Sequence, residues 1–137
     1  MELEPYLFFS DGNCETALSA YATIFGGKID GLTRYKDMPA DQGPQIAPGT
    51  EGYVMHARFS ADGFKFMASD GSPGQEYKDG PISLSISVGS KAEADRIFAA
   101  LSDGGKVDMG MQPTFWGSYF GMLTDKFGID WMLSAPV

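Results

Sequence analysis

The fold is decided by one stretch, Pro81-Ile-Ser-Leu-Ser-Ile-Ser-Val-Gly-Ser-Lys-Ala-Glu-Ala-Asp-Arg-Ile-Phe-Ala-Ala-Leu-Ser-Asp-Gly-Gly-Lys-Val107. Its first residues alternate between aliphatic side chains and serines, which predicts a strand with one apolar face and one hydroxyl-bearing face. Ser90 is placed to cap a helix, and Gly104-Gly105 ends that helix before another strand. The stretch therefore predicts a strand-helix-strand unit. The apolar positions at helical spacing are Ala94, Ile97, Phe98 and Leu101.

The same unit occurs earlier in the chain. Phe8-Phe9 correspond to its strand, Asn13 is placed to cap its helix, and Gly26-Gly27 end that helix. Two more strands follow around the hairpin signal Asp62-Gly63. The terminal blocks also align, because Gly, Met and Ser coincide between Gly63-Phe-Lys-Phe-Met-Ala-Ser69 and Gly128-Ile-Asp-Trp-Met-Leu-Ser134.

The repeat predicts an α+β protein with two βαβββ modules. Module one covers about residues 5–70 and module two about residues 81–135, within a single domain of 137 residues. The first module is longer because of the irregular, turn-rich segment 37–50. A segment of this length is either a functional lid or a connector, and both interpretations stay open.

Composition excludes several classes of protein. Ten basic and eighteen acidic residues give a net charge of −8, which argues against nucleic acid as a partner. Cys14 is the single cysteine, so no intrachain disulfide can form, and we interpret this thiol as structural. We find neither a signal-like N-terminus nor an apolar stretch long enough to span a membrane. We therefore expect a soluble cytoplasmic protein that binds neither nucleic acid nor membrane.

Several sequence blocks resemble the vicinal oxygen chelate superfamily, which includes glyoxalase I, extradiol dioxygenases and the bleomycin and fosfomycin resistance proteins. Within it, they are most similar to the PhnB-like branch, also labelled 3-demethylubiquinone-9 3-methyltransferase-like. The resemblance implies a glyoxalase/bleomycin resistance fold, in which two modules form a cupped, barrel-like mixed sheet with helices outside, commonly as a homodimer. The blocks are Tyr6-Leu-Phe-Phe-Ser-Asp-Gly-Asn-Cys14, Val54-Met-His-Ala57, Met67-Ala-Ser-Asp70, Gly105-Lys-Val107, Gln112-Pro-Thr-Phe-Trp-Gly117 and Thr124-Asp-Lys-Phe-Gly-Ile-Asp-Trp-Met132.

The methyltransferase label finds no support in the residues. An adenosyl cofactor is usually bound by a glycine-rich strand-to-helix loop followed by an acidic residue, and the sequence has no such loop. We therefore expect no adenosyl cofactor.

Metal-using members of the superfamily place His or Gln on the first strand of a module and Glu on its last strand. At the first-strand positions, the register predicted here puts Ser83 in module two and Pro5 or Leu7 in module one. The last-strand positions are Met67 and Met132. Thioethers and hydroxyls are poor ligands for hard divalent ions, so we expect no metal cofactor and interpret both methionines as parts of a cavity wall.

His56 is the single histidine and the best candidate for a catalytic residue. Strand alternation puts it beside Val54 and Arg58 on the face away from the helix, where it could act as a general base or hydrogen bond a ligand. The alternative is a structural histidine bonded to a carboxylate such as Asp130.

Ligand-binding residues are predicted mainly in module two. Phe115 and Trp116 could form an apolar wall, with Gln112 supplying an oriented amide and Tyr119 following on the same side. Trp116 could equally be a packing anchor, whereas alternation assigns Trp131 to the helix-packed face. The full predicted set is Met67, Ser83, Ser85, Gln112, Phe115, Trp116, Tyr119 and Met132.

Two functions remain open from the sequence. The first is binding of a small apolar or aromatic molecule in the cleft of the cupped sheet, without a metal. The second is an isomerase, lyase or dioxygenase in which His56 serves as general base or metal ligand.

Overall fold

A computed structural model describes residues 1–39, 46–72, 74–77 and 80–137. The chain divides into two compact units, Met1–Tyr77 and Lys78–Val137. In its described residues, each unit contains one α-helix and four strands in the order βαβββ, so the predicted duplication and α+β class are confirmed.

The first unit forms a mixed sheet with strand order β1-β4-β3-β2. Strand β1 runs parallel to β4, and the other neighbours are antiparallel. The elements are β1 (Tyr6–Phe9), α1 (Cys14–Phe25), β2 (Lys28–Arg34), a 3-10 turn (Tyr35–Asp37), β3 (Val54–Ala61) and β4 (Phe64–Asp70).

The second unit repeats this topology with strand order β5-β8-β7-β6. Again the first strand of the unit runs parallel to the last, and the remaining pairs are antiparallel. The elements are β5 (Leu84–Ser87), α2 (Lys91–Ser102), β6 (Lys106–Pro113), β7 (Ser118–Thr124) and β8 (Asp130–Pro136).

The two helices begin differently. The Ser90 hydroxyl accepts a hydrogen bond from the Glu93 N–H at 3.2 Å, which is the predicted cap of α2. At the start of α1 the predicted cap is wrong, because the Asn13 side chain makes no capping hydrogen bond. The carboxylate of Asp70, from the end of β4, accepts instead from the Cys14 N–H at 2.8 Å.

Each helix covers one face of its own sheet. Alternate strand residues are buried on that face, and Trp131 lies there as its position in the alternation predicts. The buried residues include Phe9, Leu18, Tyr21, Phe59 and Phe66 in the first unit and Phe98, Leu101, Leu123, Trp131 and Leu133 in the second.

A β-bulge changes the register at the start of β3. Thr33 pairs with His56, but the next pair along β2 is Arg34 with Val54, so Met55 is the extra residue. Val54 is consequently turned onto the helix-covered face, where it is 1% exposed. The expectation that Val54 shares a face with His56 is therefore wrong.

The segment 37–50 includes residues 40–45, which lie outside the described residues. Its interpretation as lid or connector stays a prediction. Within the described ranges, no helix is long and apolar enough to cross a lipid bilayer.

Candidate functional site

The face of the first sheet opposite α1 carries solvent-exposed aromatic rings. Phe9 of β1 is buried on the helix side, and its neighbour Phe8 is 46% exposed. Tyr6, two residues before Phe8, is 37% exposed and pairs with Met67 of β4. Because Met67 is also the register partner of Arg58 in β3, these residues lie side by side. The aromatic face is defined here as Tyr6, Phe8, His56, Arg58 and Met67.

Tyr77 packs onto this face from outside the sheet. Its ring is stacked on that of Phe8, with centroids 5.4 Å apart, and Phe8 in turn lies 5.0 Å from Tyr6. The Tyr77 N–H donates to the Ser10 hydroxyl at 2.7 Å, and its own hydroxyl accepts from the Ser72 N–H at 3.1 Å. The three rings therefore form one row along the sheet surface.

His56 lies next to this row and contacts Tyr6. Its Nδ1 is 3.3 Å from the Tyr6 hydroxyl oxygen, and the two ring centroids are 5.8 Å apart. If Tyr6 donates to Nδ1, the proton of the neutral imidazole is on Nε2, which can then donate to a ligand. If Nδ1 carries the proton, Nε2 is an acceptor and a potential base. Either tautomer leaves Nε2 unused by Tyr6.

The sequence suggests a carboxylate such as Asp130 as a structural partner of His56, and this pairing of residues from different units stays a prediction. The Asp130 carboxylate accepts a hydrogen bond from the Thr124 hydroxyl at 2.6 Å. Within the first unit, the partner of His56 is the phenol of Tyr6, which strand alternation alone did not place beside it because the residues come from non-adjacent strands of the sheet.

In the second unit, the face opposite α2 carries methionine and serine. Met132 of β8 pairs with Ser85 of β5 and with Met122 of β7. The next pair along, Ser87 and Ser134, brings two hydroxyls within 3.1 Å. The serine-methionine face is defined here as Ser85, Ser87, Met122, Met132 and Ser134.

The β6–β7 hairpin brings Trp116 to this face. Its indole packs edge-on against Phe120 at 5.6 Å, and Phe120 is the register partner of both Gln112 and Ser134. Trp116 remains 55% exposed, and Phe115, 5.0 Å from it, is 98% exposed. The hairpin thus presents two aromatic side chains to solvent.

Two predicted binding residues lie elsewhere. Tyr119 is on the α2 side, where its hydroxyl donates to Asp95 at 2.6 Å and the Lys91 ammonium sits 5.4 Å from the ring centroid. The hydrogen bond to the Asp95 carboxylate raises the pKa of Tyr119. Ser83 precedes β5 and is exposed, and the residue beside Met132 is Ser85.

The prediction of Ser83 in place of Ser85 has a counterpart in the first unit, where the predicted first-strand residue is also out of register. The residue beside Met67 is Tyr6, whereas Pro5 precedes β1 and Leu7 pairs with Ala68 on the helix side. Sequence reasoning therefore missed Tyr6, Phe8 and Tyr77. The signal available for β1 was the alternation of Tyr6 and Phe8 with Phe9, and no local pattern linked Tyr77 to them.

The residues at the superfamily's metal positions do not fit a divalent ion. With the observed register these positions are Tyr6 and Met67 in one unit and Ser85 and Met132 in the other. A phenol, a hydroxyl and two thioethers are weak donors for hard cations. Across the described ranges, no three His, Cys, Asp or Glu side chains are grouped as a metal site would need.

Comparisons with known proteins agree with this architecture. The Escherichia coli protein YjdN is 31% identical over 98% of this chain and 95% of its own length. The protein PA1353 from Pseudomonas aeruginosa is 37% identical in sequence over 98% of each chain, and its crystal structure superimposes with a TM-score of 0.80. The PhnB protein from Bacillus cereus is 28% identical over 98% of this chain and 99% of its own, with a TM-score of 0.79.

The fold is that of the glyoxalase/bleomycin resistance/dioxygenase proteins, as the resemblance implied. The sequence profile of one family, described as 3-demethylubiquinone-9 3-methyltransferase, matches residues 1–134. The chain belongs to this PhnB-like family.

Proposed function

We propose that the protein binds a small apolar or aromatic molecule on the aromatic face, without a bound metal. The observation that carries this proposal is the row of rings formed by Tyr6, Phe8 and Tyr77, which ends at the His56–Tyr6 hydrogen bond. Such a row combines apolar stacking surface with one oriented polar group, which is the usual composition of a small-molecule site.

Exposure of these rings supports binding over a purely structural role. Phe9 and Tyr21 already fill the core under the sheet and are about 1% exposed, whereas Phe8 and Tyr6 keep more than a third of their surface in water. Contiguous exposed apolar surface of this kind commonly marks a binding site. A planar ligand that stacks on Phe8 would remove that surface from water.

The serine-methionine face of the second unit is proposed, by itself, as a second binding surface. Met132 and Ser85 are adjacent, and Trp116 and Gln112 both neighbour Phe120. Methionine adapts to irregular apolar shapes, and the serine hydroxyls and the Gln112 amide can orient a polar substituent.

Titration with a neutral aromatic compound such as 1-naphthalenemethanol tests binding at the aromatic face. We expect Phe8→Ala to lower its affinity by about tenfold, because the stacking surface is lost. Tyr119→Phe is the matched control, since Tyr119 lies on the α2 side, and it should bind the compound like the wild type. Equal affinity in Phe8→Ala, with the fold intact by circular dichroism, would refute the proposal.

Tryptophan fluorescence tests binding at the serine-methionine face. Trp116 is half-exposed and Trp131 is buried, so a ligand that covers the indole should change the signal of Trp116 alone. The change should disappear in Trp116→Phe and persist in Trp131→Phe. The reverse pattern would exclude Trp116 from the binding surface.

Metal-free binding is tested by elemental analysis of the purified protein. We expect well below one equivalent of zinc, nickel, manganese or iron per chain, because the described residues contain no group of three His, Cys, Asp or Glu side chains that could hold a metal ion. Near one metal per chain, lost in His56→Ala, would contradict this.

The Tyr6–His56 hydrogen bond favours one alternative, an enzyme that transfers a proton through His56. In the tautomer whose Nδ1–H donates to the Tyr6 oxygen, Nε2 can accept a proton from a substrate C–H or O–H. This function predicts faster deuterium exchange at the acidic carbon of a bound aryl ketone such as acetophenone. The acceleration should vanish in His56→Gln, and its absence in the wild type would exclude this role for that substrate class.

We also propose a cytoplasmic location. The support is the single cysteine, since a chain with one buried thiol needs no oxidising compartment to fold.

A further inference from the structure

We infer that the ligand of the aromatic face is an aromatic carboxylate, whose anionic group is held by Arg58. This inference rests on the proposed function, because it names the chemical class of the molecule that the same face would bind.

Arg58 is placed at one end of the aromatic face. In β3 it lies between Ala57 and Phe59, both buried on the helix side, so its side chain leaves the sheet on the same face as His56. Its register partner is Met67, whose partner on the other side is Tyr6. Arg58, Met67 and Tyr6 therefore form a row across three strands.

Among the described residues of this face, Arg58 is the cation that has no ion-pair partner. The other cation there, Lys65, is ion-paired with Glu2, and Arg34 forms a two-pronged ion pair with Glu15. In the part of the chain that the structure describes, Arg58 forms neither an ion pair nor a side-chain hydrogen bond. Its charge acts on Glu2 only at longer range. The protein as a whole repels anions because its net charge is −8. An arginine without an ion-pair partner beside exposed rings therefore attracts an anion to this one place.

The spacing suits one aromatic ring and one carboxylate. Neighbouring strands lie about 4.8 Å apart, so the row from Tyr6 to Arg58 spans about 10 Å. An aryl carboxylate bound along this row would set its ring over the Met67 side chain and against Tyr6 and Phe8, whose rings are 5.0 Å apart. Its carboxylate would then face Arg58, and Nε2 of His56 could donate a hydrogen bond to a polar substituent. Among the described residues of the face, a single unpaired arginine favours a monoanion over a phosphate ester.

Matched pairs of probes separate the charge from the ring. We would measure binding of benzoate and 2-naphthoate, each beside its uncharged primary amide, by calorimetry at low and moderate salt. We expect each carboxylate to bind the wild type more tightly than its amide, by roughly fivefold at low salt. The difference should shrink as sodium chloride is added, because screening weakens the ion pair and leaves stacking unchanged.

Variants assign the charge effect to one residue. Arg58→Gln should remove the preference for the carboxylates and leave the affinity for the amides unchanged. Lys65→Gln, which removes a cation from the same face, should keep most of the preference. Phe8→Ala should weaken carboxylates and amides alike.

The outcomes distinguish this inference from the proposed function. If carboxylate and amide bind equally, or if Arg58→Gln keeps the preference, the anionic class is wrong while aromatic binding stands. If no member of either pair binds and Phe8→Ala leaves the affinity for 1-naphthalenemethanol unchanged, both the inference and the proposed function are overturned.

Discussion

Asp70 ties three elements of the first unit together through its carboxylate. It is 2% exposed and accepts hydrogen bonds from the Cys14 N–H at the start of α1 and the Val54 N–H at the start of β3, each at 2.8 Å. Burial raises the pKa of the Asp70 carboxyl, and the two backbone hydrogen bonds and the charge of Arg34 oppose that rise. The Asp70 side chain thus takes the place of a local cap on α1 and hydrogen bonds the backbone at the β3 bulge.

We expect Asp70→Asn to lower the free energy of unfolding by about 1–3 kcal/mol. An amide keeps one acceptor oxygen, so one of the two backbone N–H groups loses its partner and faces an NH2 group. Urea denaturation measures the change. Asp30→Asn, at a partly exposed ion pair with Lys28, is the control and should change stability by less than about 0.5 kcal/mol.

The stability difference between the wild type and Asp70→Asn should depend on pH. Because the pKa of Asp70 is raised in the folded state, the folded chain holds its proton in a pH range where the unfolded chain has released it. Stability therefore falls as pH rises from about 3.9 through the folded-state pKa. The stability advantage of the wild type over Asp70→Asn should be greatest below this range and constant above it. An advantage that grows with pH would contradict the assignment.

Cys14 should be chemically inert in the folded protein. Burial raises the pKa of its thiol to about 12, and the charges of Asp70 and Glu15 add to the rise. At pH 8 we expect the native thiol to react with Ellman's reagent at least about 100-fold more slowly than the chain in guanidinium chloride. Comparable rates in the two states would show that the thiol is accessible.

At the scale of elements, two glycines show how closely strands approach. A Cβ at Gly27, just before β2, would lie 2.6 Å from the Ser60 carbonyl oxygen and 2.7 Å from the ring of Phe59. Gly105 occupies the corresponding place before β6, where a Cβ would meet the backbone at Thr124 and Asp125. The duplication thus keeps the same steric requirement in both units.

We expect Gly27→Ala to destabilise the protein by about 1–3 kcal/mol, because the added methyl group overlaps a backbone carbonyl that cannot move freely. Gly31→Ala, four residues on in β2, is the matched control, since a Cβ there meets no atom within 4 Å. It should be neutral or stabilising by up to about 1 kcal/mol. Equal midpoints for the two variants in chemical denaturation would show that the first unit tolerates the closer approach.

Periodicity in the sequence predicts elements well and register less well. Alternation and helical spacing gave the βαβββ order of both units, and the α2 cap is a local signal. The bulge at Met55 and the capping of α1 by Asp70 depend on contacts between distant residues, which no local pattern contains. The position of Tyr119 was wrong because alternation along β7 turns it toward α2, whereas reasoning from the preceding loop carried it to the other face.

Part of the candidate site was therefore predictable. The sequence singled out His56, Met67, Ser85 and Met132, and the structure puts His56 with Met67 on one face and Ser85 with Met132 on another. It did not reveal Tyr6 and Phe8 as exposed rings, because aromatic residues in a short strand are usually part of a core.

For the molecule as a whole, we expect a homodimer. The hairpin residues Phe115 and Trp116 are largely exposed, and β2 and β6 are edge strands in their sheets, features that a second copy could cover. Sedimentation at micromolar concentration should give twice the mass of the 14.8 kDa chain. Phe115→Ser combined with Trp116→Ser should shift the distribution toward monomer. A wild type that sediments as monomer at these concentrations would refute the expectation.

Tyr77 is both the ring stacked on Phe8 and the last residue of the first unit. The first unit therefore ends at the candidate site. A ligand that takes the place of Tyr77 on Phe8 would release residues 74–77 from the sheet, and one that stacks beside Tyr77 would hold them in place. Ligand binding would then change the rate at which a protease cleaves the chain after Tyr77.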